Sequence, residues 1–285
     1  MIVLFFLSQT EAGQRMSSEK DDFLFLSESF PFSVHFIDVG CGDSILIRTK
    51  DDNILIDSGP YSAQGITSHY LGKLGIDKID LFIASHTDSD HIGDFADIAD
   101  KITIEKVWTS RYCIKNKKDM TEDEHIFFDT VSSKNIVLEY PDICSYKLGD
   151  IFLEVLSPMK KSKSNNENSL VIMLRWKSFS FLFTGDAGKE SEKLLLGTYS
   201  DLHADVLKAG HHGSNSGTTE AFLHAVNPDC TVISAGEENN DLPSRNCTER
   251  IEKCGSQILR TDIDGTVVII SDGEKLTYLC ENETK

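Results

Sequence analysis

The chain has 285 residues, 40% of them hydrophobic, with 46 Asp and Glu against 28 Lys and Arg and a formal net charge of -18. That length buries a substantial core in one large domain or two small ones, and the composition is that of an ordinary soluble globular protein. The acidic balance disfavours casual attraction to nucleic acid or anionic membrane without excluding a local positive site, and no apolar run approaches a membrane span.

Residues 1–30 read as a poorly ordered N-terminal extension ahead of one domain over 31–285. The opening apolar run is short and has no positive charge before it, which makes a poor secretion signal, and Met16 serves equally well as a start. Seven cysteines (Cys41, Cys113, Cys144, Cys230, Cys247, Cys254, Cys280) are scattered without a Cys-x-x-Cys pair. They suit free thiols in a reducing compartment, so a cytoplasmic location is expected.

Residues 33–39 alternate like a strand, Gly40-Cys41-Gly42-Asp43 reads as a tight turn, and strands follow at 44–48 and 53–57. A helix is expected over 63–74, a strand at 81–84, a helix over 92–99 and a strand over 102–108. The charged, weakly periodic segment 110–135 reads as a surface excursion. Strand character returns at 137–138, 151–156 and 170–174, with a polar loop over 160–168. The apolar 181–183 leads through Thr184-Gly185-Asp186 to a helix over 189–196. The second half continues with strand 205–207, helix 219–226, strand 231–233, helix 244–253 and final strands between 257 and 270. Two runs of strands, each followed by helices, predict an α/β fold: a four-layer αββα sandwich of two mixed sheets in a single domain.

The chemistry concentrates after the strand at 81–84, in Ser85-His86-Thr87-Asp88-Ser89-Asp90-His91-Ile92-Gly93. Two imidazoles and two carboxylates within six residues, at a strand end, suit zinc, manganese or iron better than calcium. A solvated acidic turn is the alternative for that stretch alone. Asp186 lies between small residues after another strand, where it can bridge two cations or cap the following helix. Lys208-Ala209-Gly210-His211-His212-Gly213-Ser214 places two histidines between glycines, and Asn165-Asn166-Glu167-Asn168-Ser169 offers amides and a hydroxyl. The remaining histidines (His35, His69, His125, His203, His224) read as structural or solvated.

In order and spacing these loops resemble the metallo-β-lactamase fold superfamily. Within it they are similar to the C-terminal hydrolase domain of ComEC-type DNA-uptake proteins and its free-standing relatives. The pieces that carry the resemblance are Phe36-Ile37-Asp38-Val39-Gly40-x-Gly42-Asp43-Ser44, Ile56-Asp57-Ser58-Gly59, Ser85 to Gly93, Asn168-Ser169-Leu170-Val171, Thr184-Gly185-Asp186-Ala187, Lys208 to Ser214 and Arg260-Thr261-Asp262-x-x-Gly265. The resemblance implies two divalent metal ions, zinc first and manganese as the other candidate. His86 and Asp88 would hold the first, Asp90 and His91 the second, with Asp186 bridging both and one histidine of the His211-His212 pair, His212 by preference, completing the second site. It also implies His211 as a substrate-facing acid, Asp90 as the residue orienting the nucleophile, and Asp57, Asn168, Ser169 and Lys208 as supports around the ligands. Departures are visible. Asp88 and Asn168 stand where many members have histidine, which makes the first site richer in oxygen and weakens its preference for zinc. Cys41 replaces the usual glutamine, and Leu242-Pro243-Ser244 replaces a His-Pro-Ser of close relatives.

Two cations roughly 3.5–4 Å apart would share a hydroxide formed near neutral pH, and phosphate esters gain most from such a site. A phosphodiesterase is therefore expected, acting on nucleic acid or a smaller phosphodiester, with no protein partner implied. A hydrolase of a carbonyl substrate (lactone, thioester or β-lactam) is the alternative enzyme, and a metal-stabilised binding module without chemistry is the alternative outside enzymes. Lys115, Lys117, Lys118, Lys160, Lys161 and Lys163 could gather beside the site, or remain a solvated charged surface.

Overall fold

The computed structural model describes residue 24, residues 27–236 and residues 241–282. Most of the extension expected at 1–30 lies outside the described residues. One sheet holds eight strands in the order β17 (Leu276–Cys280), β16 (Val267–Ser271), β1 (Phe32–Phe36), β2 (Ile45–Arg48), β3 (Asn53–Ile56), β5 (Leu81–Ala84), β7 (Lys106–Thr109) and β8 (Val137–Glu139). The other holds seven, in the order β15 (Gln257–Arg260), β14 (Cys230–Ile233), β13 (Val206–Lys208), β12 (Phe179–Phe183), β11 (Val171–Trp176), β10 (Ile151–Ser157) and β9 (Ser145–Leu148). A short parallel pair, β4 (Lys78–Ile79) and β6 (Thr103–Ile104), sits apart from both.

The sheets face one another across a core that includes Phe32, Val34 and Phe36 of β1 and Phe181 and Phe183 of β12. The first sheet's other face packs under helices α1 (Ile66–Lys73), α3 (Phe95–Lys101) and α4 (Glu122–Ser133), and the second sheet's under α5 (Lys189–Thr198), α6 (Glu220–Val226) and α7 (Arg245–Cys254). Two further helices, α2 (Ser89–Ile92) and α8 (Thr261–Asp264), are single turns. This is the four-layer αββα sandwich. Covering both faces explains why β5 reads as an uninterrupted apolar run rather than an alternating strand.

Both sheets are mixed. β3, β5, β7 and β8 run parallel, as do β12, β13, β14 and β15, while the rest pair antiparallel. The carboxyl ends of the parallel strands open toward one edge of the sandwich, where ligand-binding loops of such sheets collect.

Several expectations need correction. The segment 110–135 contains α4, which opens on a capping box: Thr121 Oγ1 accepts from Glu124 N (3.2 Å) and Glu124 Oε2 accepts from Thr121 N (2.8 Å). Its buried apolar residues are only Phe127 and Val131, with Phe128 half-buried beside them, too narrow a face to raise the helical period against the charge around it. Gly40 to Asp43 is no tight turn, because β1 stops at Phe36 and an eight-residue connection (37–44) crosses to β2. The strand expected over 102–108 is broken into β6 and β7, and the helix over 92–99 into α2 and α3, with Gly93 at the break. β4, β9 and β17 carried no usable signal.

His35 is buried between Ser33 and Tyr70, with its ring nitrogens 2.7 Å from each hydroxyl, and burial aided by the Arg48 charge lowers it to about 3. His69, His203 and His224 are exposed. None of the seven cysteines forms a disulfide, and burial pushes Cys113 and Cys230 up to about 12, beyond ready ionisation. Asp94, at the head of α3, is 1% exposed, and burial raises it from 3.8 to about 7 despite the amide of Gly65 donating to it. A carboxyl raised in the folded state binds its proton preferentially there, so its stabilising contribution is present below pH 3.8 and is lost as pH rises through about 7. Asn keeps an acceptor for Gly65 and carries no charge. The Asp94→Asn variant should therefore gain stability over the parent progressively from about pH 4 to pH 7 and keep that margin above, as read by denaturant unfolding across pH. A margin independent of pH would contradict the assignment.

Candidate metal centre

Each candidate ligand sits just past the carboxyl end of a parallel strand. β3 delivers Asp57, β5 delivers the 85–93 loop, β12 delivers Asp186, and β13 delivers His211 and His212. Two glycines allow the loops to press together. A Cβ on Gly185 would stand 2.9 Å from Ser85 Cβ, and one on Gly42 would stand 2.5 Å from the Asp90 carbonyl oxygen. His211 and His212 are consecutive residues in the left-handed region (φ 49° and 52°), a conformation that L-residues adopt at a cost and that here splays two adjacent rings apart.

The rings and carboxylates converge. One ligand atom from each of Asp90, His91, Asp186 and His212 lies within 4.8 Å of all the others. Asp186 Oδ1 is 3.3 Å from His91 Nε2 and 3.6 Å from His212 Nε2, and Asp90 Oδ2 is 3.2 Å from His212 Nε2. The other oxygen of Asp186 faces a second group. Its Oδ2 is 3.9 Å from His86 Nε2 and 3.7 Å from His211 Nε2, and His86 Nε2 is 3.4 Å from Asp88 Oδ2. One carboxylate thus presents an oxygen to each of two clusters.

Nε2 of His86, His91 and His212 and Oδ1 of Asp186 are buried yet make no hydrogen bond. Buried polar atoms are almost always paired, and a convergent set of unpaired lone pairs is what cation ligands look like. The Nδ1 side of each ring is held. His91 Nδ1 is 2.8 Å from Asp57 Oδ2, His212 Nδ1 is 3.1 Å from the Ser234 carbonyl, and His86 Nδ1 is 3.1 Å from Ser85 Oγ. Such partners set the tautomer that leaves Nε2 free to ligate. A donor set of imidazoles and carboxylates fits divalent transition metals. Asp186 is not a helix cap: α5 starts at Lys189 after Gly188, with no side-chain cap.

Electrostatics point the same way. Burial raises Asp186, but the imidazoles of His91, His212 and His86 outweigh it and hold the carboxyl well below its ordinary range. Burial lowers His91 and His212, but surrounding carboxylates, Asp186 foremost, lift both above 6.5. The cluster pulls positive charge inward, and divalent cations would displace the ring protons on binding.

Asp57, fully buried at φ 60°, accepts from Ser85 N and Ser85 Oγ at 2.7 Å each, as well as meeting His91. Ser169 Oγ accepts from Asp186 N (3.2 Å). Lys208 is fully buried, with Nζ 2.5 Å from Asp43 Oδ2. Asn168 does not join the cluster: its side chain bonds Ser162 N, Ser162 O and Ser164 O, so it shapes the 160–168 loop instead. Asp43 is the residue that sequence reasoning missed. Its carboxylate lies 3.7 Å from His212 Nδ1 and 3.8 Å from His91 Nδ1. The signal was present in Gly40-x-Gly42-Asp43-Ser44, but reading that stretch as a turn hid it. Leu242-Pro243-Ser244 serves structurally, as Ser244 Oγ and N donate to the Gly213 carbonyl and Ser244 caps α7.

The family model of the metallo-beta-lactamase superfamily matches residues 37–237. The chain belongs to that superfamily. Its members are generally metal-dependent hydrolases. Curated relatives are ComEC-type competence proteins. The chain is 27% identical over 259 residues to ComE operon protein 3 of Bacillus subtilis, covering 82% of this chain and 32% of that protein. It is 30% identical over 247 residues to Recombination protein 2 of Haemophilus influenzae, covering 83% and 28%. The chain therefore spans about a third of the length of these relatives. Among solved structures, the metallo-beta-lactamase fold protein YhfI from Bacillus subtilis superposes with a TM-score of 0.55 at 12% identity, over 87% of this chain and 99% of that one. No helix among the described residues is long and apolar enough to cross a membrane.

Asn tolerates the left-handed backbone of Asp57 but would turn an N–H toward His91 or lose a bond from Ser85. Asp57→Asn should keep the fold and weaken metal binding by about 10–100-fold, measured by chelator competition. Unchanged affinity would show that His91 is oriented by other contacts.

Proposed function

We infer that the chain is a dinuclear metal-dependent phosphodiesterase. The observation that carries this is the division of Asp186, whose Oδ1 faces His91 and His212 while its Oδ2 faces His86 and His211. His86, Asp88 and Asp186 would hold the first cation; Asp90, His91, His212 and Asp186 the second. Bound there, a pair of divalent cations supplies an activated water at neutral pH and neutralises charge on a phosphoryl oxygen.

The chain's own residues fit an anionic ester. His211 is one-third exposed, with Nδ1 3.1 Å from Ser216 Oγ, which leaves Nε2 directed at the mouth to exchange a proton with a departing oxygen. Asn166 Nδ2 lies 3.3 Å from Asp186 Oδ2 and 3.5 Å from His211 Nε2, a donor placed beside the same opening. Asp90, hydrogen-bonded through its backbone to the Asp43 amide, has the position to orient an attacking water.

Lysines favour a phosphate over a neutral carbonyl substrate. Lys160, Lys161 and Lys163 are exposed on the loop that Asn168 folds, and Lys117 and Lys118 are exposed on the segment leading to α4. Both segments are tied to the metal loop, one through Asn165 to Asp88 and the other through Glu124 to Thr87. Lys115 is instead engaged by Glu124 at 2.9 Å. On a chain of net charge -18, Lys160, Lys161 and Lys163 would be the positive charge offered to a phosphodiester backbone, of nucleic acid or of a smaller ester, whereas Asp119, Glu122 and Asp123 offset Lys117 and Lys118 on the other segment.

Side-by-side rates on a nitrophenyl phosphodiester, a lactone and a chromogenic β-lactam, with zinc and with manganese, test this reading. Turnover of the phosphodiester should dominate, Asp186→Ala should abolish it with the fold retained, and His211→Ala should cut it by about 10²–10⁴-fold while two metals stay bound. A faster lactone or β-lactam rate, or full activity in Asp186→Ala, would overturn it.

A further inference from the structure

Asp88 is the odd member of the ligand set. Its side chain is 40% exposed, whereas His86 is fully buried and Asp186 is 2% exposed. Left to itself, an exposed carboxylate samples rotamers in water, and fixing it costs entropy at the moment a cation arrives. Something must hold it beforehand.

Glu124, on the first turn of α4, is fully buried. Its Oε1 accepts the Thr87 hydroxyl proton at 2.6 Å and lies 2.9 Å from Lys115 Nζ, while Oε2 accepts from Thr121 N. A buried carboxylate demands donors, so the single proton of the Thr87 hydroxyl is committed to it and only lone pairs face the other way. Asn165 Nδ2 fills that role. It donates to Thr87 Oγ1 at 3.3 Å and to Asp88 Oδ1 at 2.6 Å. Both neighbours are acceptors, so the amide cannot turn over without setting its carbonyl oxygen against a carboxylate. The polarity therefore runs outward from one buried charge: Glu124 sets Thr87, Thr87 sets Asn165, and Asn165 occupies one oxygen of Asp88. The other oxygen, Oδ2, is left 3.4 Å from His86 Nε2.

The loop bearing Asn165 is itself pinned. Glu167 accepts from the backbone N–H groups of Gly188, Glu190 and Ser191 at the start of α5, and Asn168 holds Ser162 and Ser164. The amide is thus carried by a frame rather than by a loose excursion.

We propose that Asn165 is a positioning residue for the first cation, holding Asp88 in its ligating orientation through a hydrogen-bond relay that begins at Glu124. The proposal rests on the two-cation reading for the existence of that site, but it concerns residues that reading does not assign. Asn165 would do for an oxygen ligand what Asp57 does for the imidazole of His91.

The test is a titration of the metal-free full chain with cobalt(II), following ligand-field absorption and heat together. Wild type, Asn165→Ala, Thr87→Val, the double variant and Thr87→Ser are compared, with thermal unfolding of each metal-free form as the fold control. Each of Asn165→Ala and Thr87→Val should weaken the first cobalt by about 10–100-fold and leave the second unchanged. Because both act through one relay, the double variant should lose little more than the worse single one, and Thr87→Ser should restore the parent affinity. First-site affinity within about twofold of wild type in Asn165→Ala would overturn the proposal. So would equal weakening of both ions, or fully additive losses in the double variant. A wild-type chain that takes up fewer than two cobalt ions would overturn the two-cation reading itself, and is seen before any variant is compared.

Discussion

The carboxylate of Asp186 is where the two halves of the sandwich meet. It leaves the second sheet at the end of β12, yet each of its oxygens faces a histidine supplied by the first sheet, His91 on one side and His86 on the other. Oriented this way, it is buried among imidazoles whose lone pairs have no other destination. A charge so placed is tolerable only with matching positive charge close by. That requirement reaches outward to nearly every polar residue of the region, from Asp57 behind His91 to the Lys208–Asp43 pair behind His212.

Fold and site constrain each other through the parallel strands. Because β3 and β5, and β12 and β13, run in the same direction, their loops all emerge at one edge, and the six candidate ligands, carried by three of those loops, can face a common centre. The left-handed residues there, Asp57, His211 and His212, carry backbone strain that the surrounding packing holds in place, as expected where geometry serves chemistry rather than stability.

Much of this was legible in the amino-acid sequence. The strands stand out because burial on both faces demands unbroken apolar runs, and the 85–93 and 208–214 stretches stand out because ligand types crowd into a few positions. What escaped depends on tertiary partners. Helix α4 hides behind its charged surface, and its strongest local sign is the Thr121-x-x-Glu124 capping box rather than any period. Asp43 reads as a turn residue until the 37–44 connection is seen to fold back against Asp90. Nor does anything local distinguish Asn165, which bonds Asp88 across 77 positions of chain, from Asn168, which turns inward to shape its own loop.

Every role assigned around the site depends on whether Asp186 joins two cations. Anomalous diffraction from crystals grown with zinc or manganese tests this most directly, with data collected at the metal's absorption edge. Two peaks are predicted roughly 3.5–4 Å apart, one on each oxygen of Asp186, one beside His86 and the other between His91 and His212. A single peak, or two peaks that do not share Asp186, would contradict it.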